Sequence, residues 1–313
     1  MSNILVSGSL AYDHIMDFPG LFKDHFMPDK LHNINVSFNI EGHSEHFGGT
    51  AGNIAYTLAL LGEKPTIIAR AGYNFEKYKT HLNGVGVDTS MIRIDPNLET
   101  AFAYILTDKA DNQIAAFHPG ASREAYASEI APQKGALAII APGSIADMRE
   151  FPDKFRKAGV RFMFDPGQSI PSLTGEDLRN GITGAEVVFA NDYEFTLIEF
   201  KTGWKIEDIL RVVKTVIITL GEAGSRLITA AGETRVSAMP VTENKDPTGA
   251  GDAYRAGFIK GILAGMTPIQ NARLGSACAT FVVETFGTQE HHFTLEELKG
   301  RYEITFGETL KLV

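Results

Sequence analysis

The feature that most constrains the fold of this 313-residue chain is an alternation of short apolar runs with helical patterns. Several runs are apolar at nearly every position, which is typical of strands buried on both faces of a parallel sheet. The pattern predicts strands at 4–6, 66–69, 137–140, 161–164, 187–190 and 216–220, with helix candidates between them such as 53–61. We therefore expect an α/β fold with a doubly wound, mostly parallel sheet, whose ligands bind beyond the carboxyl ends of the strands.

Two segments interrupt this alternation and carry the period-2 pattern of antiparallel strands. One covers about residues 15–47 and contains HNINVSFNI; the other covers about 100–118, where TAFAYILTD and NQIAAFH flank KAD. They predict a small β-sheet outside the main one, which acts either as a lid or as a homodimer surface. A later pair, 225–229 and 234–240, predicts an antiparallel edge. The chain is thus predicted to be one domain, 1–313, with the lid formed by insertions.

Composition narrows the functional classes. Cys278 is the only cysteine, so an intrachain disulfide is excluded and a reducing compartment is favoured. The N-terminal residues do not resemble a secretory signal, and no apolar stretch reaches the roughly 18 residues of a membrane span, so we expect a cytoplasmic protein without a membrane partner. The net charge is −9 with scattered Lys and Arg, which argues against nucleic acid as a partner.

The most informative motif is DPTGAGDAYRAGF, residues 246–258. Gly249, Ala250 and Gly251 precede a helical pattern, and small residues at a helix start let backbone N–H groups approach an anion. Asp252 lies within this predicted phosphate cradle, where a carboxylate would repel phosphate. It is better suited to accept the proton of a hydroxyl that attacks the γ-phosphate. The alternative is that GAG is a tight turn and Asp252 only complements the helix dipole.

The motif is similar to the C-terminal signature of the ribokinase-like (phosphofructokinase-B type) kinases, and the resemblance extends over essentially the whole chain. Five further segments match family motifs in the same order: GSLAYD at 8–13, GGTAGNIA at 48–55, NDYE at 191–194, TLGEAGS at 219–225 and GTQEH at 287–291. Within the family, GSLAYDHIMDFPG, AFHPGA, DPGQ and VETFGTQEH most resemble bacterial adenosine and purine nucleoside kinases.

The resemblance implies a role for particular residues. The acceptor pocket would be lined by Ser9, Asp13, Gly49, Asn53, Phe102, Phe117 and Gln168. The ATP site would include Asn191, Thr219, Gly221 and Gly224. Glu194 would organise Mg²⁺ through water, and the GTQEH loop could help to hold a monovalent cation such as K⁺. The implied reaction transfers the γ-phosphate of ATP to the 5′-hydroxyl of a purine nucleoside, with Asp252 as base and residues 249–251 as anion hole.

Other interpretations stay open at this point. A sugar kinase on the same fold and a catalytically silent nucleotide-binding module are the main rivals. Asp13 could cap a loop, Asn53 could cap a helix, and Glu194 could be a solvated helix charge. The two phenylalanines could pack the lid, and Gln168 could be an exposed turn residue. Neither a G-x-x-x-x-G-K-[ST] loop nor a G-x-G-x-x-G after the first strand occurs, which disfavours P-loop kinases and NAD-binding enzymes.

Overall fold

A computed structural model describes residues 4–26, 35–110, 112–128, 130 and 135–312. Its strands are β1 Ile4–Ser7, β2 Ala11–Asp17, β3 Gly42–Gly48, β4 Thr66–Gly72, β5 Ile92–Asp95, β6 Ala101–Thr107, β7 Gln113–His118, β8 Leu137–Ile140, β9 Arg161–Phe164, β10 Val187–Asn191, β11 Thr215–Thr219, β12 Ser225–Thr229 and β13 Gly232–Val236. They form two sheets, one of nine strands in the order β13-β12-β11-β10-β9-β8-β1-β4-β5 and one of four in the order β3-β2-β6-β7.

The large sheet is buried on both faces. Neighbouring residues of one strand pack into different clusters: Val6 faces one side and Leu5 the other, and Phe189 and Val188 divide in the same way. From β5 to β11 all neighbouring strands pair in parallel, and β12 and β13 add an antiparallel edge. Continuously apolar runs form these strands because each strand needs apolar side chains on both faces.

Helices cover the two faces. The helices are α1 Thr50–Leu60, α2 Glu76–Gly84, α3 Ile145–Ala158, α4 Gly175–Ile182, α5 Asp192–Thr202, α6 Ile206–Ile209, α7 Ala250–Leu263, α8 Pro268–Val283 and α9 Leu295–Phe306. Helices α1, α2 and α7 pack on one face, and α3, α4 and α5 pack on the other. Within the described ranges, no helix has both the length and the apolar character needed to cross a bilayer.

The predicted strands of the large sheet are confirmed, with small shifts at their ends. The strand expected at 216–220 is Thr215–Thr219, and the helix expected at 53–61 is Thr50–Leu60. The second strand of the predicted edge hairpin is Gly232–Val236 rather than 234–240, because β12 and β13 are joined by a tighter turn that pairs Thr229 with Gly232.

The small sheet differs from its prediction in three ways. It begins at Ala11 rather than near residue 15, and its two central strands, β2 and β6, pair in parallel. The alternating segment 32–40 is not a strand where the structure describes it, over 35–40, and its first three residues lie outside the described ranges. Phe38 of that segment instead packs edge-on against Phe18 and Phe22. In this segment the apolar side chain of Phe38 packs into a local cluster, and residues 35–40 do not pair with a neighbouring strand.

Candidate active site

The predicted motifs converge at the carboxyl ends of the parallel strands. Ser9 follows β1, Asn191 ends β10 and Thr219 ends β11. Helices α1 and α7 begin at the same side of the molecule, and both are preceded by a glycine with positive φ. Positive φ is accessible to glycine at little cost, so these two positions let the chain turn directly into a helix beside the strand ends. The fold therefore produces a cleft lined by two helix N-termini.

Asp252 lies in the first turn of α7 and is held by a neighbour from α1. Its Oδ2 accepts a hydrogen bond of 2.8 Å from Nδ2 of Asn53, which is buried. Gly249, the residue before α7, has φ 82°, and a Cβ there would lie 3.2 Å from the Thr288 side chain. The guanidinium of Arg255 donates to the Gly251 carbonyl at 2.8 Å. The backbone from Gly249 to Gly251 is thus held in place beside the Asp252 carboxylate.

Burial raises the pKa of Asp252 to about 7. The positive charge of Arg255 and the hydrogen bond from Asn53 oppose this rise, whereas the negative charges of Asp165 and Asp13 add to it. A carboxylate with a pKa near neutrality can both accept and release a proton at physiological pH, which is the property expected of a general base.

Asp13 reaches the cleft from β2 of the small sheet. It pairs in register with His46 of β3, and a Cβ on Gly48 would lie 2.2 Å from its carboxylate. Glycine at this position therefore makes room for the Asp13 side chain. Burial raises the pKa of Asp13 to about 6, and Asp246 adds to the rise while His46 opposes it.

Ser9 and Gly49 are placed beside Asp13 and Asn53 by the start of α1. The Ser9 hydroxyl accepts a hydrogen bond from the Thr50 amide at 3.1 Å. A Cβ on Gly49 would lie 2.6 Å from the Ser9 carbonyl oxygen, so the two segments touch through backbone. Gly49, and not Asn53, precedes α1, so the alternative that Asn53 caps this helix is wrong.

On the nucleotide side, Asn191 and Glu194 form a reciprocal cap at the start of α5. The Asn191 side chain accepts from the Glu194 amide, and the Glu194 carboxylate accepts from the Asn191 amide, both at 2.7 Å. This pairing is a known helix-capping arrangement and explains the N-x-x-E spacing locally. Burial raises the pKa of Glu194, with Asp165 adding to the rise.

The other predicted ATP residues follow β11. Thr219 is half-buried and donates to the Ala190 carbonyl at 3.4 Å. Gly221 and Gly224 have φ of 57° and 87°, and a Cβ on Gly224 would lie 2.1 Å from the Val236 carbonyl oxygen. The tight turn between β11 and β12 therefore requires glycine at position 224, whether or not a nucleotide lies against it.

The register of the small sheet separates the two predicted aromatic residues. Phe102 pairs with Tyr12 on β2, and Phe117 pairs with Ala103, which itself pairs with Asp13. Paired residues of neighbouring strands face the same side of a sheet. Phe117 therefore shares the face of Asp13 and is 60% exposed, whereas Phe102 lies on the opposite face and stacks on His118. The register thus places Phe102 on the face of the small sheet opposite to Asp13, whereas both residues were expected to line one pocket.

The DPGQ turn follows β9 and carries two residues of opposite burial, Gln168 and Asp165. Gln168 is exposed, in keeping with its expected role as an edge contact or with an ordinary turn residue. Asp165 is buried and forms an ion pair with Arg255, while its Oδ1 has no hydrogen-bond partner among the described residues. Arg255 and Asp165 did not emerge from the sequence as site residues. The sequence feature that could have identified Arg255 is a charged residue at a position of the α7 pattern that is otherwise apolar and buried.

Gln289 is a third residue that sequence reasoning passed over individually, although it lies in the GTQEH segment. It is 2% exposed, and its Nε2 donates to Asn53 Oδ1 at 3.0 Å. Thr288 beside it donates to the Phe47 carbonyl at 2.6 Å. The GTQEH loop thus contacts α1, the end of β3 and, through Thr288, the turn before α7.

The described carboxylates at the site do not group as direct ligands of a metal. Across the described part of the chain, no three His, Cys, Asp or Glu side chains group as metal ligands do. Mg²⁺ keeps several waters and binds through one or two carboxylates together with substrate phosphates. The half-buried Glu194 and the unpartnered Oδ1 of Asp165 fit such an indirect arrangement.

Comparison with known proteins places this geometry in a family. A profile of the pfkB family of carbohydrate kinases matches residues 2–294. The chain is 31% identical over 310 residues to the nucleoside kinase of Methanocaldococcus jannaschii, covering 97% of each chain. It is also similar, at 28% identity over 244 residues, to an ATP-dependent ribose-1-phosphate kinase of Halopiger xanaduensis, covering 74% of this chain and 78% of the relative.

Solved structures of nucleoside kinases also match this chain. The structure of Burkholderia thailandensis nucleoside kinase with inosine matches with a TM-score of 0.88 and 36% identity, over 98% of this chain and 99% of that one. The same enzyme with ADP and inosine matches at 0.87 and 37%, over 99% and 98%. These matches confirm the predicted ribokinase-like fold. The chain belongs to the pfkB family of carbohydrate kinases and is an ATP-dependent kinase of the nucleoside and carbohydrate type.

Proposed function

We propose that this kinase transfers the γ-phosphate of ATP to the 5′-hydroxyl of a purine nucleoside. The observation that carries the proposal is the juxtaposition of Asp252, hydrogen-bonded to Asn53, with the positive-φ turn at Gly249. The similarity to a nucleoside kinase crystallised with inosine favours a purine nucleoside as the acceptor.

In the proposed reaction, the 5′-oxygen attacks the γ-phosphorus while its proton passes to Asp252. A bond forms between that oxygen and phosphorus, the bond from phosphorus to the β-phosphate oxygen breaks, and ADP leaves. The amides of Gly249, Ala250 and Gly251 would donate hydrogen bonds to the transferring phosphoryl group. The α7 N-terminus supports this role because its dipole favours negative charge.

The acceptor would be held from two sides. Asp13 from the small sheet and Asn53 from α1 would bind the ribose hydroxyls, with Ser9 and Gly49 shaping the floor of the pocket. The exposed ring of Phe117 is on the Asp13 face and could stack on the base. Movement of the small sheet over the cleft would exclude water, which otherwise competes as the acceptor.

The ATP side would comprise the β10 and β11 ends, with Asn191, Thr219, Gly221 and Gly224 along the nucleotide. Mg²⁺ supplies neutralisation of the phosphate charge when it is bound with ATP. Glu194 would hold a water of that ion, because its second carboxylate oxygen is not used by the cap with Asn191. A monovalent cation at the GTQEH loop and a homodimer through the small sheet stay predictions.

A coupled ADP-release assay across nucleosides and sugars tests the proposal. Adenosine, inosine and guanosine are compared with ribose, ribose 1-phosphate and fructose at equal concentration. We expect at least one purine nucleoside to exceed every sugar in kcat/KM. If a sugar or sugar phosphate is the best acceptor, the nucleoside assignment is wrong and the chain is a sugar kinase of the same family.

A further inference from the structure

A directed chain of hydrogen bonds runs from helix α2 to the proposed base. His81 Nε2 lies 3.2 Å from Gln289 Oε1, Gln289 Nε2 donates to Asn53 Oδ1 at 3.0 Å, and Asn53 Nδ2 donates to Asp252 Oδ2 at 2.8 Å. An amide oxygen only accepts and an amide nitrogen only donates. Each link in the chain therefore determines the direction of the next, and His81 must carry its proton on Nε2.

A second branch holds Gln289 in place. Its Nε2 also donates to the Tyr78 hydroxyl, which in turn donates to the Gly48 carbonyl at 2.8 Å. Gln289 and Tyr78 are both nearly inaccessible to solvent. A Cβ on Gly52 would lie 1.8 Å from the Tyr78 hydroxyl and 2.9 Å from Gln289 Nε2. Helix α1 thus needs glycine at position 52 to admit this pair.

The consequence concerns the orientation of one amide. Asn53 could present either its oxygen or its nitrogen to Asp252, because the two ends of an amide have nearly the same shape. With Nε2 of Gln289 against its Oδ1, only the nitrogen is left to face Asp252. A donor facing the carboxylate favours the ionised form, which a base requires, whereas an oxygen there would favour the protonated acid.

We propose that Gln289 is a positioning residue, which holds the Asn53 amide in the orientation that donates a hydrogen bond to the Asp252 carboxylate. The proposal rests on the proposed function, because it assumes that Asp252 is the base. Gln289 itself does not contact the acceptor. Its effect reaches the reaction through Asn53, and it links the GTQEH loop to the acceptor side of the cleft.

Several other charged groups face the same chain and must stay constant in any test. Those that act on Asp252 are Arg255 of α7, Asp165 after β9 and Asp13 of β2. Those that act on His81 are Glu290 and His292. None of these side chains is altered by a substitution at 289, so a change in titration would report the lost amide contact.

The test is the pH dependence of nucleoside phosphorylation in Gln289→Leu and in the unbranched Gln289→Met, neither of which adds a charge. In the wild-type chain, kcat/KM should rise with pH through about 7 as Asp252 ionises. Both variants lose the donor to Asn53 Oδ1, so this acidic limb should move up by about one pH unit. That shift is about a tenfold loss of kcat/KM at pH 6, with activity recovering towards pH 9.

A matched control is Thr280→Val, which removes a buried hydroxyl that donates to the Ser276 and Met239 carbonyls, away from the cleft. It should lower Tm without moving the acidic limb. His81→Phe keeps the ring stack on Phe47 but removes the donor to Gln289. Because position 81 is only half-buried, this variant serves as a second test if the substitutions at 289 unfold the chain. It should shift the limb in the same direction by a smaller amount.

An unchanged limb, or an equal loss at every pH, would overturn the proposal and leave Gln289 with a structural role. Wild-type chain that phosphorylates no nucleoside would instead refute the proposed function. The two failures are distinguishable because the first needs an active wild-type enzyme.

Discussion

The two sides of the cleft are built in different ways. On the core side, Asp252 and Asn53 lie in the first turns of helices that pack on a sheet buried on both faces, and hydrogen bonds determine their geometry. On the opposite side, the small sheet ends in β7, which is exposed at every position, and Phe117 has no ring partner among the described contacts. The core side is organised before substrate arrives, whereas the small sheet offers surface that a substrate would cover. Changes on the core side should therefore affect turnover, and changes on the small sheet should affect binding.

The largest expected effect is on the core side. Asp252→Asn keeps the size of the side chain but cannot accept a proton, so kcat should fall by about 10²- to 10⁴-fold while the nucleoside KM changes little. Steady-state kinetics with saturating ATP measures both constants. Asp153→Asn removes an exposed carboxylate on α3 and serves as the control. Retention of more than about a third of wild-type kcat by Asp252→Asn would show that Asp252 is not the base.

An intermediate effect should separate the two faces of the small sheet. Phe117→Ala should raise the nucleoside KM by about tenfold to hundredfold, which corresponds to about 1–3 kcal/mol of base stacking. Phe102→Ala removes a ring of the same size from the opposite face and should change KM less than about threefold. Isothermal titration with a nucleoside checks both variants. Equal losses for the two would mean that both faces of the small sheet contribute to nucleoside binding.

The smallest expected effect is on the preference among purine nucleosides rather than on the rate of phosphorylation. Gln168 is exposed in the turn after β9, and its amide can both donate to and accept from the edge of a purine. Gln168→Ala should change the ranking of adenosine, inosine and guanosine, with each kcat/KM within about tenfold of wild type. Competition assays with paired nucleosides measure the ranking directly. An unaltered ranking would assign Gln168 to an ordinary turn.

The large sheet was predictable because its strands must be apolar on both faces, and few other structures use such runs. The small sheet was less predictable from the sequence. Segment 35–40 alternates as a strand does, but Phe38 uses its apolar side chain in a local cluster with Phe18 and Phe22. The parallel pairing of β2 with β6 depends on where the core brings them, which a local pattern does not encode.

Within the candidate site, the motifs indicated which segments converge but not which side chains meet. Only the strand register shows which of Phe102 and Phe117 shares the face of Asp13. A shift of β6 and β7 together by one residue against β2 would move each ring to the other face of the sheet. The buried pair of Arg255 and Asp165 joins α7 to the end of β9. Gln289 meets Asn53 from the other end of the chain. Such contacts between distant segments leave no spacing in the sequence by which to recognise them.

The parallel pairing of β2 with β6 has a consequence for how the protein assembles. Between these strands the chain forms β3, α1, β4, α2 and β5, so this pairing cannot form as a local hairpin, in contrast to the pairing of β6 with β7. The entropic cost of bringing β2 and β6 together is offset only after the core has placed both segments at one edge. Pairings of this non-local kind form slowly. The small sheet is therefore not an autonomous module that could be excised or grafted. Loss of the core would abolish both walls of the cleft together, so we expect the capacity to bind an acceptor to appear only after the core has formed.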